Sequence, residues 1–363
     1  MDVDRRQVMA YRVAALGLAE RRADRPGDLA VLDLGVQEYT PGSAQVALAA
    51  RTDAELSDDR LLTVWAARGA PHLHRRRDLG ALVTALWPVS DADASARIHS
   101  AQIPEGGKLG RNAFEATAIA FREVVTSSMP RGEASTRVSA LVPRELTYDC
   151  RACGARHISG SVWQHSGLAG GVEVESRGKD ATLGPIEDAP PLPERNAGIQ
   201  DLIATYLRLL GPATPADVAK YLGSTTAEIK KVWPEGLAEV RVDGRAAWLP
   251  APAVPALAAA SPAPGVRLLP AMDALLQARD RDLLVPDRAR RKEIWKLLGN
   301  PGALLIDGEI AGVWRARLAG RKRVDLTVTP FGSITAGARR AVEEESAVVA
   351  RARGVAAATV AYG

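Results

Sequence analysis

Apolar residues recur at helical spacing over residues 4–22, where Val8, Tyr11, Ala15 and Leu18 stand among Arg and Glu. An amphipathic helix is therefore expected to open the chain. Residues 29–36 form a short apolar run with two interruptions, which fits a buried strand or a second helix. Pro41-Gly42-Ser43 breaks the chain and caps a helix over 44–51, and Asp58 or Asp59 caps another over 61–68, closed by Gly69. Arg75-Arg76-Arg77 falls on the helix or wing that follows. A longer helix is expected over 112–128, and 130–150 reads as turns and short strands around Val138 and Leu141.

The strongest local pattern lies at 198–250. Ile199, Leu202, Ile203, Tyr206 and Leu210 share one face of a helix that Gly211-Pro212 stops. Thr214 caps a second helix over 215–222, with Pro215 at the first position, where a missing N–H costs nothing. After Gly223, a third runs from Ser224 or Thr225 to about Trp233. Leu237–Val242, Asp243-Gly244 and Arg245–Leu249 then read as a hairpin. Three helices and a hairpin make a winged helix. In DNA-binding versions the last helix, offering Lys230, Lys231 and Glu228, enters the major groove; the other reading is a structural module with a solvated charged face.

Residues 176–196 read as a Pro-rich linker or long surface loop, and Pro250 to Pro264 as the clearest boundary. Beyond it come a strand at 266–269, a helix at 287–298, a β-meander with Asp307-Gly308 as a tight turn and Val324–Val328 as its third strand, and a helix at 336–352. The fold class is α+β. Four regions are expected: 1–110, 111–197 with a Cys/His segment, the winged helix 198–250, and a β-rich 265–363.

A chain of 363 residues with 47% hydrophobic and 25% charged residues is not disordered. No apolar run reaches the length of a membrane span, and Met1-Asp2-Val3-Asp4-Arg5-Arg6 lacks a signal core, so a cytoplasmic protein is expected. Net charge is +4, and 39 of the 47 basic residues are Arg. Guanidinium groups suit a phosphate backbone; a GC-rich genome would produce the same excess. Cys150 and Cys153, with His157 and His165, could hold a structural zinc, or the cysteines could be small buried hydrophobes. No metal and no cofactor are expected.

Several blocks then recur in a known order. They are Val36-Gln37-Glu38-Tyr39 with Pro41-Gly42-Ser43 and Ala47 to Arg51, then Leu62 to Leu73 with Arg68-Gly69-Ala70-Pro71-His72. Tyr206-Leu207-Arg208 through Asp217 follows, then Leu268 to Asp273, Arg279-Asp280-Arg281, and Ile306-Asp307-Gly308 with Gly312-Val313-Trp314. Over nearly its whole length the chain resembles the winged-helix DNA-binding superfamily that contains the AlkZ/YcaQ-type DNA glycosylases. The resemblance implies tandem winged helices with a small β-rich C-terminal domain around a DNA-sized concavity. It also implies hydrolysis of the N-glycosidic bond of alkylated or bulky-adducted bases, with genotoxin self-resistance as a role.

In that family the chemistry resides in a Gln-x-Gln or Gln-x-Asp motif, which here falls on Gln37-Glu38-Tyr39. An alkylated purine is already a cationic leaving group, so the protein has to place a water under C1′ and stabilise an oxocarbenium-like sugar. A Gln can orient that water but not deprotonate it. Tyr39 departs from the pattern: a phenol of pKa about 10 hydrogen-bonds a water but is a poor base. On an extended backbone positions 37 and 39 would flank one water, while Glu38 would face away. Gln37 and Tyr39 are the catalytic candidates. Arg51, Arg68, His72, Lys230, Lys231, Arg279 and Arg281 are the candidates for contact with double-stranded DNA. For Arg51, Arg68 and His72 the competing reading is internal scaffolding, with an Arg buried against a carboxylate such as Asp273 or Asp280. The alternative functions are a non-catalytic winged-helix regulator and a scaffold that binds a small molecule or protein.

Overall fold

The computed structural model describes residues 1–152, 154–175 and 181–363. It is a mixed α+β fold whose described residues form two compact units. One contains Met1–Asp59, Ala204–Thr214 and Glu235–Gly363, and the other Arg60–Ile203 and Pro215–Pro234. Among the described residues no helix is long and apolar enough to cross a membrane.

The first unit is built on a five-stranded sheet in the order Val266–Leu269, Gly302–Ile306, Glu309–Ala319, Arg323–Pro330, Ala357–Tyr362. The first four strands are antiparallel, and Ala357–Tyr362 joins Arg323–Pro330 in parallel. A parallel pair needs a crossover, supplied by the helix Ala336–Ala352. That helix buries Val342 and Val349 against Leu268, Leu304, Trp314 and Leu326, and the helix Ser43–Ala49 adds Val46 and Ala49. The Asp-Gly turns are as expected. Asp307 and Gly308 (φ 50° and 81°), like Asp243 and Gly244 (φ 46° and 80°), adopt the paired positive φ of tight hairpin turns.

The hairpin Leu237–Val242/Arg245–Pro250 gains a third strand from the N-terminus, Asp2–Val3, parallel to Leu237–Val242. Nothing in a two-residue segment announces this. Val3, Val8, Tyr11, Val240, Leu249 and Leu257 form the core beneath it. Leu257 belongs to a short helix, Val254–Ala258, inside the stretch read as the clearest boundary. The helices Ile199–Leu210, Pro215–Leu222 and Thr226–Lys231 follow the expected order, and the last ends two residues early.

The second unit corrects two expectations. Residues 61–68 are not a helix: Leu61–Trp65 is a strand paired with Pro71–Arg75. A five-residue apolar run cannot choose between helix and strand by its period, and the neighbouring strand decides. Residues 131–141 are a helix rather than turns, burying only Ala134 and Val138 and thus showing almost no periodic signal. The core is aromatic, with Phe121 and Trp163 ring centroids at 4.4 Å and Trp65 and Trp163 at 5.9 Å. Gly167 lies against the Trp65 indole, where any Cβ would overlap the ring.

A buried and a half-buried histidine make this unit sensitive to acid. Burial, then His72 and Arg75, pushes the His74 pKa down to about 3. Burial pushes His165 down to about 4; its bond to the Ser161 carbonyl and the charge of Asp93 oppose this, and Arg97 and Arg68 reinforce it. Both rings fold neutral, so the unfolded chain binds more protons below its ordinary pKa of about 6.5, and stability falls as pH falls through that value. Between pH 7 and 5 each histidine should cost about 2 kcal/mol. Urea midpoints measured across that range should drop, and His74→Leu should flatten the pH dependence; an unchanged slope in that variant would contradict the assignment.

Candidate active site

The strand Val36–Gln37 stops at Gln37, so alternation along a strand does not reach Tyr39. A turn instead links it to the helix Ser43–Ala49, and Glu38 shapes that turn. Its carboxylate accepts the backbone N–H of Gly42 at 2.5 Å and of Ala44 at 2.7 Å, and the Ser43 hydroxyl at 3.5 Å. Those amides have no partner within the helix, and a negative charge there complements the helix dipole. Gly42 (φ 79°) provides the left-handed residue that the turn requires. Arg353, at the end of the helix Ala336–Ala352, donates to the Pro41 carbonyl. Burial lowers its pKa, and the charge of Glu38 opposes that shift.

With Glu38 engaged, the motif presents an amide and a phenol. Gln37 is 8% exposed, and its Oε1 has no hydrogen-bond partner. Leaving a buried acceptor unsatisfied costs about 1–3 kcal/mol, and such atoms concentrate where a water or substrate completes the bonding. The Tyr39 hydroxyl accepts from the Asn300 backbone N–H at 3.2 Å and from Asn300 Nδ2 at 3.4 Å. It still has its own hydrogen to donate. Tyr39 lines a cleft of about 440 Å³ with Ser43, Asn300, Trp314, Arg315 and Arg353; Gln37 is not among its lining residues. The Trp314 indole donates to the Leu269 carbonyl at 2.7 Å, and Gly302 leaves it room. Asn300, Arg315 and Arg353 were not singled out from sequence. The Asn300-Pro301 pair is a turn signal that marks the first; the arginines carry no local mark.

Two of the expected DNA contacts are corrected. Arg51 is 1% exposed and makes a two-pronged ion pair with Asp273, at 2.8 Å and 2.9 Å. Its remaining bonds go to the carbonyls of Leu16 and Ala47. No phosphate can reach it, and the scaffolding alternative with Asp273 holds. His72 is fully buried, with Nδ1 facing the Ala70 carbonyl at 2.9 Å, and its ring centroid lies 6.1 Å from that of His74. Arg68, half-buried at φ 59°, donates to the Tyr221 carbonyl at 2.6 Å and lies over the Tyr221 ring. Lys230 and Lys231 are exposed, and Lys231 pairs with Glu228 at 2.5 Å. Arg279 and Arg281 are half-buried, Arg281 stacking 4.9 Å above Trp295.

Of the Cys/His set, Cys153 lies outside the described residues. His157, on the hairpin with Cys150, has its pKa raised by the Ile158 carbonyl and then by Cys150. His165 is half-buried beside Phe114, bonded to the Ser161 carbonyl. Among the described residues no three His, Cys, Asp or Glu side chains gather as for a metal.

Comparison with known proteins gives one consistent result. The family model "DNA glycosylase AlkZ-like" matches residues 31–352. An interstrand DNA cross-link repair glycosylase from Streptomyces sahachiroi is 28% identical over an alignment 374 positions long, covering 96% of each chain. The solved structure of the Streptomyces sahachiroi DNA glycosylase AlkZ is similar with a TM-score of 0.77, at 25% identity over 100% of both chains.

Removing one partner of a buried ion pair strands the other charge. Arg51→Met should therefore lower stability by about 3–5 kcal/mol in denaturant titration. Adding Asp273→Leu should recover most of that loss. A single variant within about 0.5 kcal/mol of the parent would rule out the scaffolding role.

Proposed function

The chain belongs to the AlkZ-like DNA glycosylase family, and from that membership we propose that it excises alkylated or bulky-adducted purines from duplex DNA, with Gln37 orienting the attacking water and Tyr39 donating a hydrogen bond from the cleft wall. It is a DNA-repair hydrolase of N-glycosyl bonds. The named relative from Streptomyces acts on interstrand cross-links, and a bulky adduct of that kind is the proposed lesion here.

The observation that carries the assignment is the unsatisfied Gln37 Oε1, a buried acceptor at the first position of the family's motif. In the reaction the C1′–N bond breaks and its electron pair neutralises the cationic base. The water oxygen forms the new C1′–O bond and releases a proton to solvent. Gln37 accepts a hydrogen bond from that water without taking the proton. Tyr39 acts as a donor, since its oxygen already accepts two bonds from Asn300. A leaving group with its own positive charge needs no general acid, which suits a motif whose carboxylate is occupied as a helix cap.

Tandem winged helices around the duplex, and phosphate contacts from Lys230, Lys231, Arg279 and Arg281, belong to the same proposal. Exposure of the two lysines supports their part.

Release of N7-methylguanine from methylated duplex DNA tests this reading. Gln37→Ala should slow single-turnover excision by at least about tenfold, on the order of one lost transition-state hydrogen bond. DNA affinity should be nearly unchanged, because a neutral amide neutralises no phosphate. Tyr39→Phe should also slow excision, because it removes the donor. Two unaffected variants with active wild type would show that the motif is misplaced; inactive wild type on all alkylated duplexes would remove the proposed substrate class.

A further inference from the structure

We infer that Leu297 and Leu298 form an apolar wedge that enters the stacked bases of duplex DNA beside the lesion, on a loop joined directly to Tyr39. The inference rests on the glycosylase reading above. Leu297 is 98% and Leu298 84% exposed, whereas the other exposed large apolar side chains among the described residues are only about half exposed. Single exposed leucines need no explanation, but two adjacent ones at a loop tip, with almost no covering protein, do.

The loop under them is held at three points. At its start, the Trp295 indole donates to the Leu276 carbonyl at 3.1 Å and lies beneath the Arg281 guanidinium. In its middle, Arg315 Nη2 donates to the Gly299 carbonyl at 2.8 Å. At its end, Asn300 Oδ1 accepts the Lys296 N–H at 2.8 Å and closes the loop. The same Asn300 donates twice to the Tyr39 hydroxyl. A stem fastened this way loses little conformational entropy when its tip is buried by a partner.

The occupant is duplex DNA rather than another apolar surface, because of the charge around the tip. Residues 287–300 carry five basic side chains against two acidic ones. Arg288, Lys292 and Lys296 among them are exposed. Cations beside an apolar tip suit insertion between base steps with phosphates alongside. The wedge also explains the link to Tyr39: unstacking the lesion's neighbour and placing the phenol become one motion.

The test is Leu297→Ser/Leu298→Ser, whose exposure predicts an unchanged melting temperature. A duplex carrying 2-aminopurine next to N7-methylguanine should brighten on binding wild type, as the probe unstacks, and the double variant should lose most of that rise. Excision from duplex should slow at least tenfold, while excision of the same lesion from single strands stays within twofold. Equal fluorescence and equal duplex excision would overturn the wedge. A wild-type dimer in sedimentation that the double variant abolishes would also overturn it, making the pair a contact between copies. Fluorescence needs no turnover, so an inactive wild type refutes the substrate reading while leaving the wedge decided by its own signal.

Discussion

The geometry of the first unit depends on one buried charge pair, Arg51 with Asp273. Removing a guanidinium and a carboxylate from water is tolerable only if nearly every donor and acceptor is satisfied. Here they are: Arg51 bonds the Leu16 and Ala47 carbonyls and both Asp273 oxygens, and Asp273 Oδ1 also takes the Leu275 N–H. Those bonds join the end of the opening helix, the helix Ser43–Ala49 and the segment around 273. Glu38 caps the other end of Ser43–Ala49, so the Gln37–Tyr39 turn is fastened to the segment that runs on from the cleft-lining Pro270 and Ala271. Arg12 with Asp280 repeats the device, the guanidinium also reaching the Gly211 and Pro212 carbonyls.

That constraint explains the division of labour in Gln37-Glu38-Tyr39. The residue best suited to general-base chemistry holds the helix N-terminus and lies near Arg353. The neutral residues on either side face separate surroundings: a buried amide with a bare oxygen, and a phenol in an open cleft. Under the proposed reaction the base leaves as a cation, and orientation and hydrogen bonding would supply what remains of the barrier. Tyr39 keeps its own hydrogen to donate, and Asn300 supplies the bonds that fix its ring.

Much of this was legible in the sequence where local chemistry decides the outcome. The two Asp-Gly turns adopt the paired positive φ that their residues favour. Ile199–Leu210 and Ala336–Ala352 appear where a broad apolar stripe runs at helical spacing. Even the alternative role for Arg51 could be read, because an Arg in an apolar stretch needs a carboxylate and Asp273 was at hand. Legibility failed for Leu61–Trp65 and for Arg131–Leu141, where a short apolar run or a two-residue buried stripe carries no usable period.

By itself the sequence determined the family, the helices with strong amphipathic faces and the tight turns. Each follows from interactions between residues a few positions apart, or from blocks in a fixed order. Only the tertiary structure decided that Arg51 and His72 lie inside, that Glu38 is a cap, and that Asn300 meets Tyr39 across 261 positions. Burial and long-range hydrogen bonds depend on which surfaces the folded chain brings together. A basic or polar side chain looks the same in sequence whether it will face a phosphate or a carboxylate in the core.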